Sequence, residues 1–274
     1  MGLKLAVLAA ALLAAAPIPL GTSFLQTREL ADGSFAEQGR TSYPQLTAWA
    51  TLGLRASGSA PRSKAATAKY LATHESELGS ATDLALVALA EQALGQSPDR
   101  LLTRLRALER PNGSVGGLVN GTAWSVIAFR AAGEPLPRGA ARWLLPLQSR
   151  RGGWGWTAGA VDSNDTAAVV EALRAAGVRG RPIRRALGFL LRYRNRDGGF
   201  ELTPGRGSDA QSTAWAIQAF LSAGKAAPPG AFAYLKRLQR PDGSFRYSAR
   251  YTTTPVWVTA QVLPALARKP FPLR

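Results

Sequence analysis

Two kinds of helix-length segment alternate along this chain. In the first, such as 167–176 and 214–223, apolar residues fill nearly every position, the pattern of a helix buried on all sides. In the second, such as 183–194, apolar residues recur at helical spacing on one face and arginines occupy the other, the pattern of a helix only half covered by a core. The two kinds follow one another six times, and almost nothing between them has the period of a strand. Pro61, Pro98, Pro137, Pro182, Pro228 and Pro229 mark helix starts and links.

The amphipathic segments end in one recurring motif. An aromatic–Leu pair is followed by Gln or Glu four residues after the Leu, by Gly eight residues after it, and by an aromatic two positions further on. Trp143-Leu144, Gln148, Gly152, Trp154 is the cleanest copy. Tyr234-Leu235, Gln239, Gly243, Phe245 is close to it, and Phe24-Leu25, Glu29, Gly33, Phe35 and Phe189-Leu190, Arg194, Gly198, Phe200 follow. Two copies are worn: Tyr70-Leu71, Glu75, Gly79, Ala81 and Arg104-Leu105, Glu109, Gly113, Val115. A repeat of this period specifies stacked supersecondary units, each needing its neighbours to bury its apolar face.

The apolar segments begin alike. Thr47-Ala48-Trp49, Thr122-Ala123-Trp124, Thr166-Ala167-Ala168 and Thr213-Ala214-Trp215 align without a gap, and each reaches a Gly eleven residues after its Thr. Polar residues at the start and Gly at the end are helix boundary signals. Two further copies fit less well, one from near Ala81 to Gly95, the other from Thr254 through Trp257 to Lys269. Six buried helices alternating with six exposed ones predict an all-α fold, an (α/α)6 toroid of six hairpins with inner and outer helices alternating. An open solenoid is the geometric alternative, and six repeats in a chain of this size favour closure.

The N-terminus is a separate object. Lys4 precedes an apolar run over 5–16, followed by Pro17-Ile18-Pro19-Leu20-Gly21. This reads as a secretory signal over 1–21, with an uncleaved anchor as the alternative, because the run is shorter than the roughly 20 residues a membrane span needs. A single toroid domain over 22–274 is expected, secreted or extracytoplasmic, with the mature start between Ala16 and Thr22.

Composition removes some chemistries. With no cysteine and one histidine, His74, thiolate catalysis and a zinc site of nitrogen and sulfur ligands are excluded; no metal and no cofactor are expected. The net charge of +17 ordinarily raises nucleic acid, but export argues against it, and many arginines (Arg100, Arg104, Arg138, Arg142, Arg184, Arg192) fall on the outer-type segments. A basic shell suits an anionic membrane surface or an envelope polyanion, or is simply a solvated face.

The segment Trp143-Leu144, Gln148, Gly152, Trp154 resembles the QW repeat of squalene and oxidosqualene cyclases. Across essentially the whole domain the chain is similar to the terpenoid cyclase/protein prenyltransferase α/α toroid superfamily, which also includes corrinoid-binding proteins. The resemblance speaks to fold more than to chemistry. Asp162-Ser163-Asn164-Asp165-Thr166-Ala167 looks like the Asp-x-Asp-Asp-Thr-Ala motif of class II cyclases, whose middle Asp protonates an alkene or epoxide. That position is Asn164 here. An amide cannot supply the proton, so a cyclase would need Asp162 or Asp165 as its acid. The same residues also serve as a helix cap and a first-turn acid.

Other buried segments start with polar residues at equivalent positions, and their starts converge on one mouth of a ring. Gln45, Asp83, Asn120, Asp162, Asp165, Asp209 and Gln211 are therefore expected to rim one pocket, with Asn164 among them. Trp49, Trp124, Trp215 and Trp257 are expected at a common register one turn inside the bore. There they would line an apolar cavity, stabilise a cation through their ring faces, or pack between helices. The first functional reading is an exported toroid that binds an apolar, isoprenoid or corrinoid-like ligand without standard cyclase activity. The second is a small class II terpene cyclase. A zinc prenyltransferase is excluded by the missing cysteine, and a charge-driven polyanion binder is a minor reading.

Overall fold

The computed structural model describes residues 17–156 and 160–273. Twelve α-helices follow one another: α1 (Pro17–Thr27), α2 (Pro44–Ala56), α3 (Lys64–Thr73), α4 (Ala81–Ala93), α5 (Asp99–Ala107), α6 (Val119–Ala132), α7 (Ala140–Leu144), α8 (Ser163–Ala175), α9 (Arg181–Leu191), α10 (Ala210–Ser222), α11 (Ala231–Arg237) and α12 (Pro255–Leu266). Among the described residues β-structure is limited to isolated bridges at the repeat turns, such as Gln239 with Phe245. The even-numbered helices form the inner ring, each packed against the next, and α12 returns to pack on α2. The ring is closed, not an open solenoid. At the closure the helices approach backbone to backbone: a Cβ on Gly53 would lie 2.7 Å from the Ala260 carbonyl oxygen.

The recurring motif builds the seams of this ring. The Gln148 amide Nε2 donates to Gly152 O at 2.8 Å and to Pro182 O at 2.9 Å, so it closes its own turn and ties it to the start of the next outer helix. Gln239 repeats this with Gly243 O at 3.1 Å and Pro17 O at 2.7 Å, which joins the last outer helix to the first. Where the motif carries Glu29, a carboxylate accepts instead, taking the backbone N–H of Ser63 at 2.9 Å and that of Arg62. The motif glycine is required twice over. Gly152 has φ of +100°, and a Cβ there would lie 2.6 Å from Arg185 O on α9. The following aromatic seals the seam: Phe35, Trp154, Phe200 and Phe245 are all buried, and the indole N–H of Trp154 donates to Leu144 O at 2.7 Å.

A second contact holds each seam to the inner ring. The backbone N–H of the motif aromatic donates to a threonine hydroxyl in the first turn or two of the following inner helix: Phe35 to Thr47, Trp154 to Thr166, Phe200 to Thr213 and Phe245 to Thr259, with Val115 to Thr122 in a worn repeat, all at 2.9–3.1 Å. The Phe245–Thr259 pair corrects the sequence alignment of the last repeat. The register-defining threonine is Thr259, not Thr254, because the turn before α12 is longer. Trp257 therefore stands two residues before the threonine, whereas Trp49, Trp124 and Trp215 stand two after theirs.

The expected signal lies largely in residues 1–16, outside the described residues. The division expected between 21 and 22 falls inside α1, whose Gly21 is buried against Leu263 and whose Pro17 carbonyl closes the outer ring. Among the described residues no helix is long and apolar enough to cross a membrane.

Candidate functional site

Register fixes what faces the bore. Two residues before the threonine position, in the first turn of each inner helix, stand Gln45, Thr82, Asn120, Asn164, Gln211 and Trp257; two residues after it stand Trp49, Leu86, Trp124, Ala168, Trp215 and Gln261. Both sets, with Asp83 and Asp165, line one cavity of about 200 Å³ at the mouth. The upper layer is a polar rim interrupted by Trp257, which stacks on Tyr43 at 6.3 Å. The lower layer is largely apolar. Trp49, Trp124 and Trp215 pack edge to face on one another, with centroids 5.5–5.7 Å apart and planes within a few degrees of perpendicular. The Trp215 indole N–H donates to Gln261 Oε1 at 3.0 Å, which pairs the amide oxygen of the Gln in this layer. Below the tryptophans lies Phe271, from the segment after α12.

A hydrogen-bond chain runs along the rim. Thr82 Oγ1 donates to Asn120 Oδ1 at 2.8 Å, and Asn120 Nδ2 donates to Asp165 Oδ1 at 2.7 Å. Asp162 stands behind Asp165 as the cap of α8, its Oδ1 accepting the Asp165 backbone N–H at 2.8 Å. The two carboxyl groups are close enough to influence each other's charge. Burial, with the neighbouring Asp165 second, raises Asp162 to about 7. Burial also raises Asp165, opposed by the Asn120 amide. Two like charges so close in a desolvated site favour one shared proton. Burial thus holds the pair toward its protonated form, with Asp165 as the member that reaches the cavity.

Not all expected rim residues reach it. Gln45, Asp83, Asn120, Asn164, Asp165 and Gln211 line the cavity, as do Trp49, Trp124, Trp215 and Trp257. Asp162 and Asp209 do not. Both are cap residues with extended backbone (φ −137° and −135°), and their carboxylates fold back onto their own helices, Asp209 onto the Ser212 N–H at 2.7 Å and hydroxyl at 2.8 Å. Asp209 instead borders a separate surface groove with Tyr234 and Tyr247. Thr82, which shares the register of Asn120 and Asn164, was left out of the expected rim, and Leu86, Ala168 and Gln261 were missed by sequence reasoning. The register points to Leu86 and Ala168 through the tryptophans of other repeats; only Gln261 needs Thr259 to be aligned. The cavity is also too small for a corrin ring. No His/Cys/Asp/Glu cluster suited to a metal ion occurs among the described residues.

This geometry can be set beside proteins of known structure. A type II terpene cyclase, MstE from Scytonema, superposes with a TM-score of 0.68 at 19% identity over 92% of this chain and 96% of that one. A protein from Actinoplanes gives 0.67 at 20% identity, covering 93% and 98%. The chain is an α/α toroid. An unsaturated glucuronyl hydrolase from Bacillus sp. GL1, responsible for glycosaminoglycan degradation, superposes on the toroid with a TM-score of 0.55 at 14% identity over 91% and 94%. No protein-family model matches the chain, and comparison with curated sequences gives no match. A fold shared by a cyclase and a polysaccharide-degrading enzyme leaves the chemistry to the residues at the mouth.

Proposed function

We propose that the toroid is an exported binding protein that takes a small, uncharged, largely apolar molecule of isoprenoid type into the mouth of its bore. The observation that carries this reading is the two-layer cavity: a tryptophan-rich wall to desolvate an apolar body, and a rim of amides to orient one polar end. A variant of the Scytonema cyclase is known in complex with geranylgeranyl dihydroxybenzoate, so the fold accommodates such a molecule. The site itself narrows the class. Among the described residues two carboxyl groups and no Lys or Arg line the cavity, which disfavours a diphosphate or other anionic head. At about 200 Å³ the cavity falls below the roughly 300–1,000 Å³ of ordinary ligand sites, so it suits one or two isoprene units or the end of a longer chain. The basic outer shell is a separate surface, suited to keeping the protein near an anionic envelope.

The Asp162–Asp165 pair favours a second reading, protonation of a carbon–carbon double bond by Asp165 followed by cyclisation. It needs the shared proton at the cavity wall in a residue one position beyond the family's acid. One experiment separates the two. The domain is incubated with geraniol, farnesol and a neutral terpene epoxide, and bound and released species are followed by native mass spectrometry and gas chromatography. Retention of unchanged ligand, abolished by Trp124→Ala and kept in Asp165→Asn, supports binding. A cyclised product lost in Asp165→Asn establishes the second reading. Absence of any retained or converted terpenoid overturns both.

A further inference from the structure

We propose that Phe271 is the specificity-determining support beneath the tryptophan floor of the ligand cavity, the residue that sets how far that floor can give way and so how long a molecule the bore accepts. The ligand series used to test it rests on the isoprenoid reading above; the existence of the support does not.

The inner helices define a bore that continues past the tryptophan layer, and its far half is filled from within. The segment following α12 turns back across the far opening, and Phe271, 2% exposed, projects up the axis. Its ring lies 5.5 Å from Trp124, 6.0 Å from Trp49 and 6.4 Å from Trp215, stacked on the last at 27°. A single side chain thus supports the tryptophans that bound the mouth cavity. On either side of the segment the far end is open: a groove of about 480 Å³ borders Arg174, Leu221 and Phe271, and another of about 470 Å³ borders Leu52, Leu89 and Leu273. The bore is therefore closed by two layers, the mutually packed tryptophans and, beneath them, this segment.

The block is latched. Glu171 of α8 is fully buried, and its Oε2 accepts the Phe271 backbone N–H at 2.6 Å. Among the described residues its Oε1 has no partner. A carboxyl group buried at such cost, with one oxygen committed to a single backbone amide, serves to hold this segment in place. Because the latch grips the backbone, it survives a change of the side chain. Truncating Phe271 therefore removes the ring while leaving the segment anchored, and the vacated volume is apolar on the tryptophan side. Such cavities stay dry and take apolar guests.

The test compares Phe271→Ala with the wild-type protein. Relative affinities for geraniol, farnesol and geranylgeraniol are read by tryptophan fluorescence and native mass spectrometry. Wild type is expected to favour geraniol over geranylgeraniol by tenfold or more, and Phe271→Ala to lose or reverse that preference. The same order and ratio in both proteins overturns the proposal. Crystals of both pressurised with xenon supply a readout independent of ligand class. Xenon at the vacated ring position in the variant alone supports this role even if no prenyl alcohol binds either protein, an outcome that would remove the isoprenoid reading and keep this one. No xenon there in the variant overturns it. Should Phe271→Ala not fold, Phe271→Leu carries the same comparison with a smaller vacated volume, and near-ultraviolet circular dichroism checks the fold of each variant.

Discussion

The seams between repeats and the rim of the bore are made by the same six stretches of chain, yet they obey opposite rules. At most seams one solution recurs, with Arg194 and the worn Glu75–Gly79–Ala81 copy departing from it: an amide or carboxylate on the next helix start, a glycine against backbone, a buried aromatic and a threonine hydroxyl on its N–H. At the rim, a few residues along each helix, the six repeats supply Gln, Thr, Asn, Asn, Gln and Trp. A ring closes only if every seam has the same angle, so a single defective seam strains the whole circle. A cavity has no such demand, because each rim residue meets the ligand space alone. Stability is thus expected to reside in the seams and recognition in the rim.

The sharpest way to break this contrast is at the motif glycines. Gly152→Ala must place a Cβ against Arg185 O while holding φ at +100°. Gly177 has φ of +83° but open space around it. Left-handed backbone alone costs an L-residue roughly 1–2 kcal/mol, so Gly177→Ala should lose about that much in urea unfolding. Gly152→Ala should lose about 3 kcal/mol or more, since the clash forces two helices apart. Equal losses would show that the seam glycines serve only as turn residues.

The threonines come next. Thr213→Val keeps the shape of the side chain and removes the acceptor for the Phe200 N–H, leaving a buried donor unpaired at a cost of about 1–3 kcal/mol. The corresponding change at Thr82, whose hydroxyl only joins the rim chain, should be felt far less. A melting temperature lowered equally by both would erase the distinction between seam and rim.

These seam residues were legible in the sequence because spacing alone exposes them: Leu to Gly is invariant, and Thr47, Thr122, Thr166 and Thr213 align by eye. Thr259 escaped because the aromatic-to-threonine distance is not conserved, running from 7 residues in the third repeat to 14 in the last. Loops that merely reach the mouth have no fixed length. The cost of that miss was Trp257, assigned to the tryptophan layer when it belongs to the rim. Asp162 and Asp209 show a different limit. Sequence identifies a polar residue at a helix start, but whether it turns into the bore or back onto its own helix depends on one residue of register. Phe271 carried no sequence signal at all, since nothing local marks a segment that folds back into an axis built by distant helices.

Buried carboxyls give a comparison along the bore axis, between the Asp162–Asp165 pair at the mouth and Glu171 at the far end. All three are raised by burial, so the folded state holds protons that the unfolded chain releases at ordinary carboxylate values. Their contribution to stability is complete below about pH 4 and is lost as pH rises, through about 7 for Asp162 and well above the ordinary carboxylate range for Glu171. Glu171→Gln keeps an acceptor for the Phe271 N–H and cannot ionise. It should leave stability at pH 4 nearly unchanged and raise it at pH 8, flattening the pH profile of the melting temperature. An unchanged profile would mean that the far-end carboxyl is solvated and that the latch is open.

The smallest effect on stability is expected at the rim, and there it carries the most functional information. Asn164 lies in the first turn of α8 and lines the cavity, but among the described residues its one direct side-chain partner is the Ser163 hydroxyl, which donates to its Oδ1 at 3.2 Å and also to Glu201 O at 2.9 Å. Asn164→Ala should therefore change stability by less than about 0.5 kcal/mol while weakening a polar-ended ligand by the worth of one neutral hydrogen bond, about 0.5–1.5 kcal/mol. Asn120→Ala, by contrast, strips Asp165 of its amide donor and should raise that carboxyl further, shifting the pH dependence of binding upward. If the two variants lower affinity equally with no difference in pH profile, the rim acts as a set of independent contacts. If only Asn120→Ala moves the profile, the carboxyl pair is coupled to the ligand, and the rim is more than a wall.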